Sequence, residues 1–184
     1  FCPKGQRWGH PMYDVAAHRR TAHRWWRCRT RSVLDLVDTV RIDHFRGIES
    51  SWEIPAGDDD AVGGRWVEGL GAPLLEAITA EANGRECAFV AEDLGVITPA
   101  VTALRDRFGL PGMAVLQFAF DGAADEADWN HRYLPHQHRT HQVVYTGTHD
   151  NDTVLGWFRA GSPRLQDRVR RYLSCGDDRL PWAL

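Results

Sequence analysis

Three short apolar runs in this chain each lead to a carboxylate, and no other feature constrains the fold as strongly. Asp43 follows TVRI, Glu92 follows CAFVA, and Asp150 follows QVVYTGTH. Buried strands ordinarily stay apolar to their ends, because an unpaired charge in an apolar layer is costly. In parallel α/β folds, and in the (β/α)8 barrel above all, the C-terminal strand ends instead form an open rim where chemistry is done. Three acidic groups at such ends imply one charged rim above a buried sheet.

The segments around those runs fit that reading. Strands are expected over Thr39 to Ile42, Cys87 to Ala91, Met113 to Phe118 and Gln142 to Thr146, each a compact apolar run between polar or glycine-containing stretches. Helical patterns fall at Ala72 to Ala82 and Pro99 to Phe108, the second with Thr98 as N-cap and Pro99 at its first position. The same signal starts a further helix at Ser162 and Pro163. Strand and helix in alternation give an α/β class, with right-handed crossovers and a parallel sheet flanked by helices. Two long connections, Phe45 to Gly71 and Asp121 to His141, read as functional surface loops.

Composition excludes several classes. With 184 residues and 43% hydrophobic content, the chain can bury one sizeable core, so disorder is a poor expectation. A net charge of −3 argues against a general nucleic-acid or acidic-membrane binder. The basic segment HRRTAHRWWRCRTR, His18 to Arg31, is the local exception. Trp26, Val33, Leu34 and Val37 share one helical face there, which leaves the arginines on a solvated side. Lys4 is the only lysine, so arginine is this chain's general cation. Cys2, Cys28, Cys87 and Cys175 are scattered and form no CxxC pair, against a zinc ribbon or disulfide framework. Without a signal-peptide core or a long apolar span, the expected setting is the cytoplasm, with no membrane partner.

Carboxylates at a rim have few uses. A pair can run glycoside chemistry, one attacking the anomeric carbon or activating water while the other protonates the departing oxygen. Asp43, Asp150, Asn151 and Asp152 could equally bind magnesium or calcium through oxygen. Arg41 argues against a metal: it points to the same side of its strand as Asp43, and a fixed cation keeps that carboxylate ionised unaided. Taken singly, Arg41 and Asp43 would read as an internal salt bridge; three carboxylates at three strand ends favour a site. Glu92, behind Phe89, Val90 and Ala91, is expected to be buried without a cation and so to hold a proton. Trp8, Trp52 and Trp66 lie in loops where their faces could stack on pyranose rings. His131, His136, His138 and His141 match no zinc spacing, and Asp58 to Asp60 lacks EF-hand alternation, so both read as polar loop. Asp93 and Asp152 read as caps of nearby backbone.

Six motifs occur in one order: GQRWGHPMY (Gly5 to Tyr13), RIDHFRG (Arg41 to Gly47), GRWVEG (Gly64 to Gly69), AEDLG (Ala91 to Gly95), FGLPGMAVLQFAFDG (Phe108 to Gly122) and GTHDND (Gly147 to Asp152). Together the chain resembles the 4-α-glucanotransferases called amylomaltase or disproportionating enzyme, of the α-amylase-like clan. The resemblance implies that Asp43 is the nucleophile of a retaining double displacement, Glu92 the general acid/base and Asp150 the third carboxylate, supporting the transition state. It further implies that Arg41, His44 and His149 line the donor subsite, and that maltooligosaccharides are the substrate, with no cofactor. A retaining pair is expected about 5 Å apart. His10 replaces the asparagine usual in GQxWGNP, and Ser51 replaces an aromatic residue before Trp52.

A complete (β/α)8 barrel needs about 250 residues. With only four strand candidates the chain falls short of that, and the resemblance implies that they are about strands four to seven, the C-terminal half of a catalytic barrel spanning residues 1–184 and belonging to a longer protein. Two unpaired strand edges then predict aggregation or dimerisation of this segment alone. Hydrolysis of α-glucan, or non-catalytic glucan binding by a truncated barrel, are the competing functions.

Overall fold

The computed structural model describes residues 3–120 and 130–183. Cys2 and the first nine residues of the expected Asp121 to His141 loop lie outside the described residues. The chain forms two compact units, Phe1–Gly112 and Met113–Leu184.

The first unit opens with α1 (Val15–Arg20) and α2 (Arg24–Leu34). Asp14 caps α1 by accepting the Ala17 N–H at 2.8 Å. The basic segment is not one solvated helix, because Ala22 and His23 adopt left-handed backbone and break it in two. Val37 also departs from the expected apolar face: α2 stops at Leu34, and Val37 stands exposed beyond it. The arginines of the segment are exposed, as expected, and two of them also serve as ion-pair partners. Arg27 and Arg31 grip Glu81 at 2.7 Å each, and the Glu81 side chain is almost wholly covered. Hydrogen bonds from Arg31 and then Arg27 hold that carboxyl below its ordinary range.

Next come β1 (Val40–Ile42), α3 (Arg46–Glu49), β2 (Ser50–Glu53), β3 (Arg65–Glu68), α4 (Gly71–Thr79), β4 (Phe89–Ala91) and α5 (Pro99–Arg107). β1 and β4 run parallel, with Val40, Arg41 and Ile42 level with Phe89, Val90 and Ala91. The expected helix at Ala72 to Ala82 is α4 extended by a 3-10 turn over Ala80–Ala82. Thr98 caps α5, and Pro99 starts it, as expected. A core containing Phe45, Leu74, Leu75, Ile78, Phe89, Ala91 and Val101 fills the space between β1, β4 and these helices. Burying each large side chain stabilises the unit by about 1.5–3 kcal/mol relative to exposure.

The long connection after Phe45 carries structure of its own. β2 and β3 pair antiparallel, with Ser51 opposite Val67 and Trp52 opposite Trp66. Alternation is weak over these residues, which is why they read as loop. Gly64 leaves room for the Trp52 ring, since a Cβ there would collide with the indole nitrogen and lie 2.9 Å from the Glu53 carbonyl.

β5 (Gly112–Val115) pairs with β6 (Gln142–Tyr145), followed in the second unit by α6 (Val154–Ala160), α7 (Pro163–Leu173) and α8 (Leu180–Ala183). The expected strand to Phe118 is shorter, because the chain turns into a 3-10 helix at Leu116–Ala119; an apolar run alone does not distinguish the two. Ser162 caps α7 and Pro163 opens it, as expected. Among the described residues the four expected strands therefore form two pairs, β1–β4 and β5–β6. The Ala91 N–H donates to the Pro111 carbonyl at 2.9 Å and so ties β4 to the residue before β5. Phe120, Leu134, Phe158, Val169 and Leu180 are buried in the second unit.

Candidate functional site

Asp43 and Glu92 each stand one residue past a strand end, and the two strands are neighbours in parallel register. Backbone bonds carry that register past the last paired residues: Glu92 N–H donates to the Ile42 carbonyl at 2.9 Å, and Phe45 N–H to the Glu92 carbonyl at 3.1 Å. Adjacent strands lie about 4.8 Å apart, so the two carboxylates occupy level positions on neighbouring chains. Behind them Phe45 and Ala91 are fully buried, which anchors both strand ends to the core.

The two carboxylates meet different surroundings. Asp43 is 74% exposed and pairs with the Arg41 guanidinium at 2.7 Å, so the arginine two residues back does share its side of the strand. Glu92 accepts two backbone hydrogen bonds, His44 N–H to Oε2 and Leu94 N–H to Oε1, each at 2.8 Å. Burial of Glu92 in an apolar pocket, expected from Phe89 to Ala91, is not found: the strand residues are buried, but Glu92 is only half-buried and faces polar backbone. Side chains alternate along an extended chain, so the burial of three residues does not extend to a fourth beyond the strand.

His44 is exposed and left-handed, at φ +46°, a conformation uncommon for a residue with a side chain. That turn directs its N–H to Glu92 and so links the two strand ends. The sequence offers little signal for it, since histidine, though enriched in left-handed backbone, adopts it only in a minority of cases.

Asp150 and His149 belong to the second unit, past the end of β6. Each side chain is 72% exposed, and His149 Nε2 lies 3.3 Å from Asp150 Oδ2. The Gly147 to Asp152 turn is braced from within: Asn151 Oδ1 accepts the Thr148 N–H and hydroxyl at 2.9 and 3.0 Å. Buried Gln117 donates to the Asp152 carbonyl at 3.0 Å. Asp152 itself accepts the Thr153 N–H at 2.7 Å, the backbone role expected of it.

Trp52 and Trp66 form a T-shaped pair with centroids 5.3 Å apart. Arg46 lies 4.0 Å above the Trp66 ring, and Trp52 Nε1 donates to the Ala61 carbonyl at 2.8 Å. Half of the Trp66 surface remains open. Trp8 is 72% exposed, with its ring centroid 6.1 Å from that of His10. The structure thus builds an aromatic surface from Trp52 and Trp66.

The two polar loops make hydrogen bonds of their own. Asp60 accepts the Val62 N–H within its turn, at 3.0 Å. In the histidine loop, His138 Nε2 lies 2.9 Å from the Tyr133 carbonyl and His136 Nδ1 lies 2.8 Å from the Tyr172 hydroxyl. Asp93, expected to cap backbone, is 3% exposed and ion-paired with Arg105 of α5. A sequence does not reveal that partner, twelve residues away on a separate element.

A parallel strand pair with carboxylates just past its C-terminal ends, packed beside helices, has the layout of the α/β folds that carry a strand-end rim. Comparison with known proteins makes this particular. The family profile described as glycoside hydrolase family 77, 4-alpha-glucanotransferase, matches residues 1–183. The 4-alpha-glucanotransferase of Thermus thermophilus is 49% identical over 192 aligned residues, covering 100% of this chain and 37% of that protein. The amylomaltase of Streptococcus agalactiae, solved in complex with acarbose, superposes with a TM-score of 0.84 at 30% identity, over 97% of this chain and 35% of that one. Amylomaltase from Corynebacterium glutamicum shares the fold at 20% identity, with a TM-score of 0.70 over 95% of this chain and 23% of that one. The chain belongs to the glycoside hydrolase family 77 4-alpha-glucanotransferases, and it spans about a third of the length of its curated relatives.

Proposed function

We propose that this chain is part of the catalytic barrel of a 4-α-glucanotransferase that moves α-1,4-glucan segments between maltooligosaccharides with retention of configuration. The observation that carries the reading is the β1–β4 register, with Asp43 beside Arg41 and Glu92 level with it on the neighbouring strand. A carboxylate oxygen of Asp43 attacks the anomeric carbon, the bond to the departing glucan oxygen breaks, and that oxygen takes the proton of Glu92. Glu92, now a carboxylate, then removes the proton from a 4-hydroxyl of an acceptor sugar as that oxygen displaces Asp43. The acceptor gains the glucan segment, and Glu92 regains its proton.

Asp150 serves as the third carboxylate, binding donor hydroxyls and supporting the oxocarbenium-like transition state, with Arg41, His44 and His149 lining the donor subsite. Trp8, Trp52 and Trp66 offer aromatic faces to further sugar rings. Sugar displacement needs no cofactor or metal, and the negative net charge suits neither nucleic acid nor an anionic membrane. The acarbose complex of the Streptococcus agalactiae relative supports the ligand class. Residues 1–184 correspond on this reading to the C-terminal half of the barrel, about strands four to seven, in a cytoplasmic protein.

The test is to incubate the complete gene product with maltotriose, beside an Asp43→Asn version, and resolve products by chain length. Glucose plus a ladder of longer maltooligosaccharides, lost by about 10³-fold or more in the variant, is the expected outcome. Shorter sugars alone would make the protein a hydrolase, and no product from the unaltered protein would leave only glucan binding.

A further inference from the structure

We infer that the buried Asp93–Arg105 ion pair, closed in by Gly112, is a positioning device for Glu92; this rests on the reading of Glu92 as general acid/base. Asp93 follows Glu92 directly yet takes the opposite course. Glu92 faces the backbone N–H groups of His44 and Leu94 at the strand ends, whereas Asp93 turns inward to Arg105 on α5. Asp93 is 3% exposed, and the Arg105 side chain is 14% exposed. Arg105 also binds Asp106 through Nη2 and Nε at 2.6 and 2.9 Å, so its planar fork is committed on two sides.

The pair has a wall made for it. A Cβ at Gly112 would lie 2.7 and 2.8 Å from the two Asp93 oxygens and 2.9 Å from Arg105 Nη1, so any other residue would push the pair apart. Pro111, the residue before this glycine, accepts the Ala91 N–H at 2.9 Å and holds the end of β4 from the same side. β4, α5 and the start of β5 therefore meet at Asp93.

Fixing Asp93 fixes the residue on either side of it. Leu94 N–H is one of the two donors that hold the Glu92 carboxylate, and its direction follows from the backbone of Asp93. A carboxylate that must reach the leaving oxygen tolerates little displacement, since proton transfer requires hydrogen-bond distance. Asp93 touches no substrate on this account and acts only through the 92–94 turn.

The test uses the complete gene product carrying Asp93→Asn, with Glu92→Gln as a reference, and two donors: maltotriose and α-maltosyl fluoride. Fluoride leaves as an anion when Asp43 displaces it and needs no proton, so single-turnover fluoride release does not call on the acid function of Glu92. Asp93→Asn is expected to lower kcat on maltotriose roughly 10- to 100-fold at similar KM while fluoride release changes less than about threefold. Equal loss with both donors, or no loss with either, would overturn the proposal and leave the pair a purely structural contact. Should Asp93→Asn fail to fold, Arg105→Lys, which keeps the charge but not the fork, is read by the same two donors and the same criteria. Glu92→Gln separates the underlying reading: if it lacks the donor dependence, the assignment of Glu92 fails, whereas if it alone shows it, only the positioning role fails.

Discussion

At the scale of residues, the site depends as much on backbone as on side chains. His44 offers Glu92 its N–H only because it adopts left-handed φ, a conformation that asparagine tolerates and a β-branched residue resists by about 1–2 kcal/mol. His44→Asn and His44→Val remove the same imidazole, so any difference between them reports the turn. The valine variant of the complete enzyme is expected to have the lower melting temperature and, on maltotriose, about 5- to 30-fold lower kcat than the asparagine variant, the ratio this strain energy implies. Indistinguishable kinetics in the two would mean that the turn does not hold Glu92 for its task.

At the scale of elements, the break between α1 and α2 carries a pH dependence. His23 sits at that break, 4% exposed and left-handed, with its ring stacked 6.4 Å from that of His18. Burial, and then the charges of His18 and Arg19, push its pKa below the usual 6.5. The unfolded segment therefore binds a proton that the folded one resists. Stability from this position is fully present above about 6.5 and is lost as pH falls from there through the folded value. Amide exchange over Val15–Leu34 should quicken between pH 7.5 and pH 5.5 beyond the intrinsic pH effect, and His23→Asn should remove much of that excess. Glu81, held by Arg27 and Arg31, adds the same sign of dependence at lower pH, below its ordinary 4.5.

At the scale of the whole molecule, part of a barrel separated from its remaining strands would present open strand edges. Leu36, Val96 and Trp182 are more than 70% exposed, at 84%, 71% and 90%. Exposed edges and apolar side chains together favour association. Residues 1–184 produced alone are expected to run as dimers or larger species in sizing chromatography, with a broad thermal transition. A soluble monomer with one sharp, concentration-independent transition would contradict that expectation.

Local patterns in the sequence sufficed for the α/β class, the positions of β1, β4 and β6, the capped starts of α5 and α7, and the placement of Asp43, Glu92 and Asp150 beyond strand ends. Such features are legible because a cap, a proline or an apolar run acts on its own few residues. Six ordered motifs carried the family for the same reason. Other features depend on partners distant in sequence: the β2–β3 pairing that brings Trp52 to Trp66, the grip of Arg27 and Arg31 on Glu81, the half-burial of Glu92, and the Asp93–Arg105 pair beneath Gly112. Burial and ion pairing are decided by which elements meet in space, and only the tertiary structure supplies that.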